Sequence, residues 1–155
     1  MPRLARLKVL GGEDGWYHLY SRIAGKGGEY PLEDSRCRTK LTELFKFYSH
    51  AYCCGISSYV IMGSHWHLVT RFEKKRKLSR DELWERALRL YPRSEKLLKN
   101  WSPRQWKRLQ ERLFDVSEFM RNIQSAFARW FNRLFKRKGR FWADRFKSTL
   151  LMDSQ

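Results

Sequence analysis

His65 and His67 stand one residue apart in the run Tyr59-Val60-Ile61-Met62-Gly63-Ser64-His65-Trp66-His67-Leu68-Val69-Thr70. An apolar stretch meets a break at Gly63-Ser64 and resumes as a short strand, in which side chains two residues apart share a face. The two imidazoles therefore project together, with Trp66 and Leu68 on the opposite, core-facing side. Two neutral imidazoles on one rigid face can hold a divalent cation and leave positions open for substrate oxygens. A chain with four histidines can also place two nearby by chance, half exposed and bonded to their neighbours. Spacing alone leaves both readings standing.

Charge is the second chemical signal. Thirty-three Lys and Arg against sixteen Asp and Glu give a formal net charge of +17 over 155 residues. That excess suits a polyanionic partner, nucleic acid first and an anionic membrane surface second. No apolar run approaches the ~20 residues needed to span a bilayer, and no signal peptide opens the chain. The block Lys136-Arg137-Lys138-Gly139-Arg140-Phe141-Trp142-Ala143-Asp144-Arg145-Phe146-Lys147 interleaves cations with aromatics around one acid. Such a composition suits pairing with phosphates and stacking on unpaired bases, worth about 1–3 kcal/mol per base. The expected phosphate contacts are Arg22, Lys26, Arg121, Arg129, Arg133, Arg137, Lys138, Arg140 and Arg145, and Trp142 is the expected stacking surface. Cys37, Cys53 and Cys54 are odd in number and form no Cys-x-x-Cys pair. They argue against a disulfide framework and a structural zinc site, and for a reducing cytoplasm.

The elements that must position these residues follow from periodicity. Residues 15–23 alternate as a strand with Trp16, His18, Tyr20 and Arg22 on one face, and a glycine-rich basic loop at 25–28 ends it. From Leu32 to about Ala51 the spacing of Leu41, Leu44, Phe45, Tyr48 and Tyr52 is helical, with Asp34 placed to favour the helix dipole. Strands at 52–62 and 65–72 form a hairpin. Residues 73–114 read as a helical insertion: one helix opens at the capping box beginning at Ser79 and runs to about Leu90, and another opens at Ser102. Trp84, Trp101 and Trp106 fit a local core better than a stacking platform. A second capping box at Asp115 opens a long basic amphipathic helix to about Phe135, and a last strand covers 148–152. The order predicts one α+β domain over 1–155, an antiparallel sheet packed against helices.

The residues Ile61 to Val69 resemble the His-hydrophobic-His motif of HUH endonucleases. The opening Trp16-Tyr17-His18-Leu19-Tyr20-Ser21-Arg22 resembles the first strand of REP-associated tyrosine transposases. The late block from Phe127 to Arg133, with Gly139-Arg140-Phe141-Trp142 and Arg145-Phe146-Lys147-Ser148, resembles them too. The resemblance implies a ferredoxin-like sheet with the histidine pair on a central strand, holding Mg²⁺ or Mn²⁺ together with a third polar ligand. It implies transesterification on single-stranded or hairpin DNA, in which a tyrosine hydroxyl attacks a phosphodiester and leaves a 5′-phosphotyrosine link. It implies a cytoplasmic, nucleoid-associated protein. Two departures stand out. Gly63-Ser64 replaces the family's Pro-Asn before the first histidine. The family's tyrosine position lies beyond Gln155, so the expectation is a core without its own nucleophile, to which a partner chain could supply that helix in trans; a homodimer is among the expected assemblies. A non-catalytic DNA- or RNA-binding module of the same fold is the alternative.

Overall fold

β1 (Gly15–Arg22) and β3 (His65–Phe72) pair antiparallel at the centre of a four-stranded sheet, in a computed structural model that describes residues 12–25 and 29–151. β2 (Cys54–Ile61) flanks β3 and β4 (Lys147–Leu151) flanks β1, all antiparallel, giving the order β2-β3-β1-β4. Strand β3 thus lies between β1 and β2, which helix α1 (Ser35–Ala51) connects, and β1 lies between β3 and β4. This is the interleaved ferredoxin-like arrangement that the family resemblance implies, within the α+β class expected from the element order.

Alternation decides what each face carries. On β1, Gly15, Tyr17, Leu19 and Ser21 are buried while Trp16, His18 and Tyr20 are half-buried and Arg22 is exposed. On β3, Trp66, Leu68, Thr70 and Phe72 are buried and His65, His67 and Val69 are half-buried. Helix α1 and the long helix α5 (Val116–Leu134) seal the buried face: Phe45 of α1 packs on Trp66 at 4.9 Å, and Phe119 of α5 meets Phe72 edge-on at 5.5 Å. Strand β2 shifts register between Ile56 and Ser58, a β-bulge at Ser57. Beyond the bulge Tyr59 points to the helices, against Phe45, and Val60 falls beside His67.

Helix α1 begins later than its periodicity suggests. Leu32 belongs to a short 3-10 turn, Pro31–Glu33, and Asp34 caps the helix by accepting from the Arg36 backbone N–H at 2.8 Å. The Arg36 side chain also holds the Asp34 carboxyl down to about 2. The insertion contains three helices where two are expected: α2 (Arg80–Leu90), α3 (Glu95–Lys99) and α4 (Pro103–Arg112). Five-residue α3 has no side-chain cap, so nothing in the residue pattern announces it. Trp101 packs on Trp106 at 5.0 Å and Trp84 on Trp106 at 5.8 Å, a local core as expected.

Arg86 of α2 anchors the insertion to the domain. Its Nη1 donates to the carbonyls of His50, Ala51 and Tyr52 at 3.2, 3.0 and 2.9 Å, where α1 ends with unsatisfied acceptors. Its other nitrogens reach Glu82, which also pairs with Arg76 at 2.9 Å. Hydrogen bonds from a charged donor are worth about 1.5–3 kcal/mol. Arg86→Ala is therefore expected to cost about 2 kcal/mol in denaturant unfolding, with Arg86→Lys recovering only part because a single ammonium cannot serve the carbonyls and span to Glu82 at once.

Candidate metal centre and nucleic-acid interface

The register of the central strands assembles a row of chemistry on the face that the helices leave uncovered. Opposite His67 of β3 stands Tyr20 of β1, and opposite Tyr20 stands Lys147 of β4. His65 stands opposite Arg22, and His18 opposite Val69. The His65 and His67 rings lie 5.2 Å apart, centre to centre, and nearly perpendicular at 86°. The His18 ring lies nearly coplanar with His67 and edge to edge with it, ring centres 5.0 Å apart, and the Tyr20 ring lies 5.5 Å from His65 and 5.0 Å from His67.

The hydrogen bonds of the pair fix which ring nitrogens remain available. His67 Nδ1 is 2.8 Å from His18 Nε2, and His65 Nδ1 is 3.1 Å from Ser64 Oγ. A neutral imidazole carries one N–H. In the tautomer that donates Nδ1–H of each ring to these neighbours, both Nε2 atoms carry lone pairs and have no hydrogen-bond partner among the described residues. Ligating histidines commonly carry such a bond on the second nitrogen, which sets tautomer and ring angle. With metal–nitrogen bonds of about 2.1 Å, two imidazoles at about 100° around one cation have ring centres roughly 5 Å apart. The pair fits a divalent cation on both counts. Among the described residues no group of three or more His, Cys, Asp or Glu side chains forms a complete cage, so His65 and His67 could hold a metal only with donors from elsewhere, including substrate oxygens.

The Gly63-Ser64 turn supports this corner by its own route. Gly63 O accepts from Leu32 N–H and Ser64 O from Ile23 N–H, both at 3.0 Å. A Cβ at Gly63 would come within 2.9 Å of Tyr30 Cβ, so the close approach requires glycine there.

Partial burial, then the neighbouring His18 and His65, lower the His67 imidazole below the usual histidine range. Below about pH 6.5 the unfolded chain takes up a proton at this position while the folded chain resists it. Stability is therefore expected to decline with acidification from that point until His67 itself protonates. An NMR titration should show its ring signals moving at lower pH than those of a histidine peptide; a shift at or above that pH would refute this.

The basic residues expected to bind phosphate divide between two sides of the sheet. Arg22 is exposed on the histidine face, and the 140–145 segment runs beside it, with Ala143 N–H donating to Arg22 O at 2.9 Å. Arg140 and Arg145 are exposed there, although Arg140 lies 3.7 Å from Asp144. Arg121, Arg129 and Arg133 are exposed on α5, which packs on the opposite face, and Arg121 pairs with Glu118 at 2.9 Å. Arg137 lies over the Phe131 ring at 5.7 Å and Lys138 is exposed. Lys26 lies outside the described residues.

Trp142 is not the exposed stacking surface its neighbours suggest. It is 7% exposed, its indole N–H donates to Gln124 O at 2.8 Å, and it packs on Trp66 and Phe127. A ring so enclosed belongs to the core, because exposing it would leave both a cavity and a broken hydrogen bond. Sequence reading also missed three members of the histidine face as parts of one site: His18, Tyr20 and Lys147. Alternation puts His18 and Tyr20 on a shared face of β1, but only cross-strand register sets them beside His67.

No family model and no curated protein matches the sequence. Among solved structures the fold is similar to that of a REP-associated tyrosine transposase bound to a REP hairpin, with a TM-score of 0.56 at 10% identity. The match covers 97% of this chain and 64% of that one, so the chain spans less than two thirds of the neighbour's length.

Proposed function

We propose that this chain is the core of an HUH-type single-strand DNA transposase or endonuclease, binding hairpin or single-stranded DNA together with Mg²⁺ or Mn²⁺. The observation that carries the reading is the adjacent, nearly perpendicular pair of His65 and His67 rings, each bonded at Nδ1 to His18 or Ser64. Support comes from the +17 charge, and from a fold similar to that of a transposase bound to a hairpin. The resemblance puts the attacking tyrosine on a separate helix, and the histidine pair, Arg22 and Lys147 serve the same reaction.

Their contribution is binding and orientation. Arg22 and Lys147 flank the histidine row and draw phosphates onto it. His18 and Ser64 hold the two imidazoles in the tautomer that keeps Nε2 free. A divalent cation, when bound, would supply neutralisation of charge on the scissile phosphate and polarise it toward attack. Imidazole donors favour Mn²⁺ over Mg²⁺ in affinity, since Mg²⁺ prefers oxygen.

The test is an electrophoretic search for a covalent protein–DNA adduct on a hairpin oligonucleotide with Mn²⁺, run beside a binding titration in salt. Binding with log K falling by roughly 0.7 per neutralised phosphate supports the interface. An adduct formed by residues 1–155 alone would overturn the expectation that the nucleophile lies elsewhere. Tight hairpin binding that ignores metal altogether would favour the non-catalytic binding module.

A further inference from the structure

We infer that the histidine face also reads a single strand by stacking: Tyr20 and Trp16 are platforms for unpaired bases, with Arg22 and Lys147 on the adjoining phosphates. The inference rests on the single-strand reading above and assigns its base-contacting residues. Trp16, His18 and Tyr20 are consecutive same-face positions of a central strand, so neighbours in the series stand about 6.7 Å apart. Aromatic residues on the central strands of an uncovered four-stranded sheet are the arrangement by which such sheets stack bases, because every base offers a π-face whatever its sequence.

The ring contacts favour these two residues. Tyr20 meets the histidine rings at 47°, tilted rather than stacked, so no parallel ring covers its face. Trp16 makes no ring contact among the described residues. His18 is bonded edge-on through Nε2 to His67 Nδ1, which holds it to the metal-binding corner. The cations are placed to match: Lys147 shares the cross-strand row of Tyr20, and Arg22 lies two residues further along β1. Neither forms an ion pair among the described residues. On the far side of the sheet the corresponding aromatics, Tyr17 and Trp66, are buried and unavailable.

The test compares affinities for a single-stranded oligonucleotide and an abasic strand of the same length, by fluorescence anisotropy, for the full chain and its Tyr20→Ala, Trp16→Ala and Tyr20→Phe variants. Stacking predicts that each alanine variant lowers the ratio of base-containing to abasic affinity at least fivefold, and that Tyr20→Phe preserves it. In the unaltered chain, a 2-aminopurine probe should be quenched at one or two positions of the strand. An unaltered chain that binds both strands equally, or quenches the probe nowhere, overturns the stacking assignment and leaves the phosphate-binding reading intact. Binding of neither strand overturns both.

Discussion

Mn²⁺ affinity is expected to fall at least a hundredfold when His65 and His67 are both replaced by alanine, while hairpin affinity should change little at the same salt. The two imidazoles are the only protein donors converging on that corner among the described residues, so their removal leaves a cation nothing but water and substrate oxygens. Loss of an outer hydrogen-bond partner alone typically weakens metal affinity 10–100-fold. His18→Ala should fall in that lower range, since it frees His67 Nδ1 without removing a donor. Calorimetric titration checks both. An Mn²⁺ isotherm unmoved by the double substitution would sink the metal reading and leave a cationic binding fold. DNA affinity should survive in either case, since arginines and lysines beyond the pair are proposed to supply it.

Trp142→Ala is expected to destabilise the domain by about 3–5 kcal/mol, a melting temperature lower by roughly 6–20 °C. The indole links two elements: it packs on Trp66 of β3 and Phe127 of α5, and donates to a carbonyl of α5. The neighbouring Ile23 pairs with it as an isolated bridge at the end of β1. Thermal unfolding of the variant distinguishes core from platform. A variant that keeps its stability and loses only nucleic-acid affinity would restore Trp142 to the surface role its neighbours in sequence suggest. Trp142→Phe should cost less, losing the hydrogen bond and part of the volume.

Legibility differed by the range of the interaction concerned. The alternation around His65 and His67 is local, and it placed both rings on one face because a strand's period leaves no other choice. The caps at Ser79, Ser102 and Asp115 were equally readable, since each satisfies backbone donors within its own turn. His18 is another matter: its bond to His67 spans 49 residues and depends on strand register, which no local pattern encodes. Trp142 misled for a related reason. A tryptophan among arginines looks exposed until the chain's return to β1 shows that the aromatics turn inward and the cations outward.

The bulge at Ser57 has a bearing on assembly. Strand β2 is a free margin of the sheet, and Tyr59 and Val60 beside the bulge are 46% and 55% exposed. A straight apolar margin of this kind invites a second molecule to extend the ladder, the usual start of aggregation. Doubling one residue against its partner bends the strand and interrupts the even line of donors and acceptors that such an intruder would need. The same irregularity that seats Val60 beside His67 thus makes this border a poorer template for a second molecule than a straight strand would be.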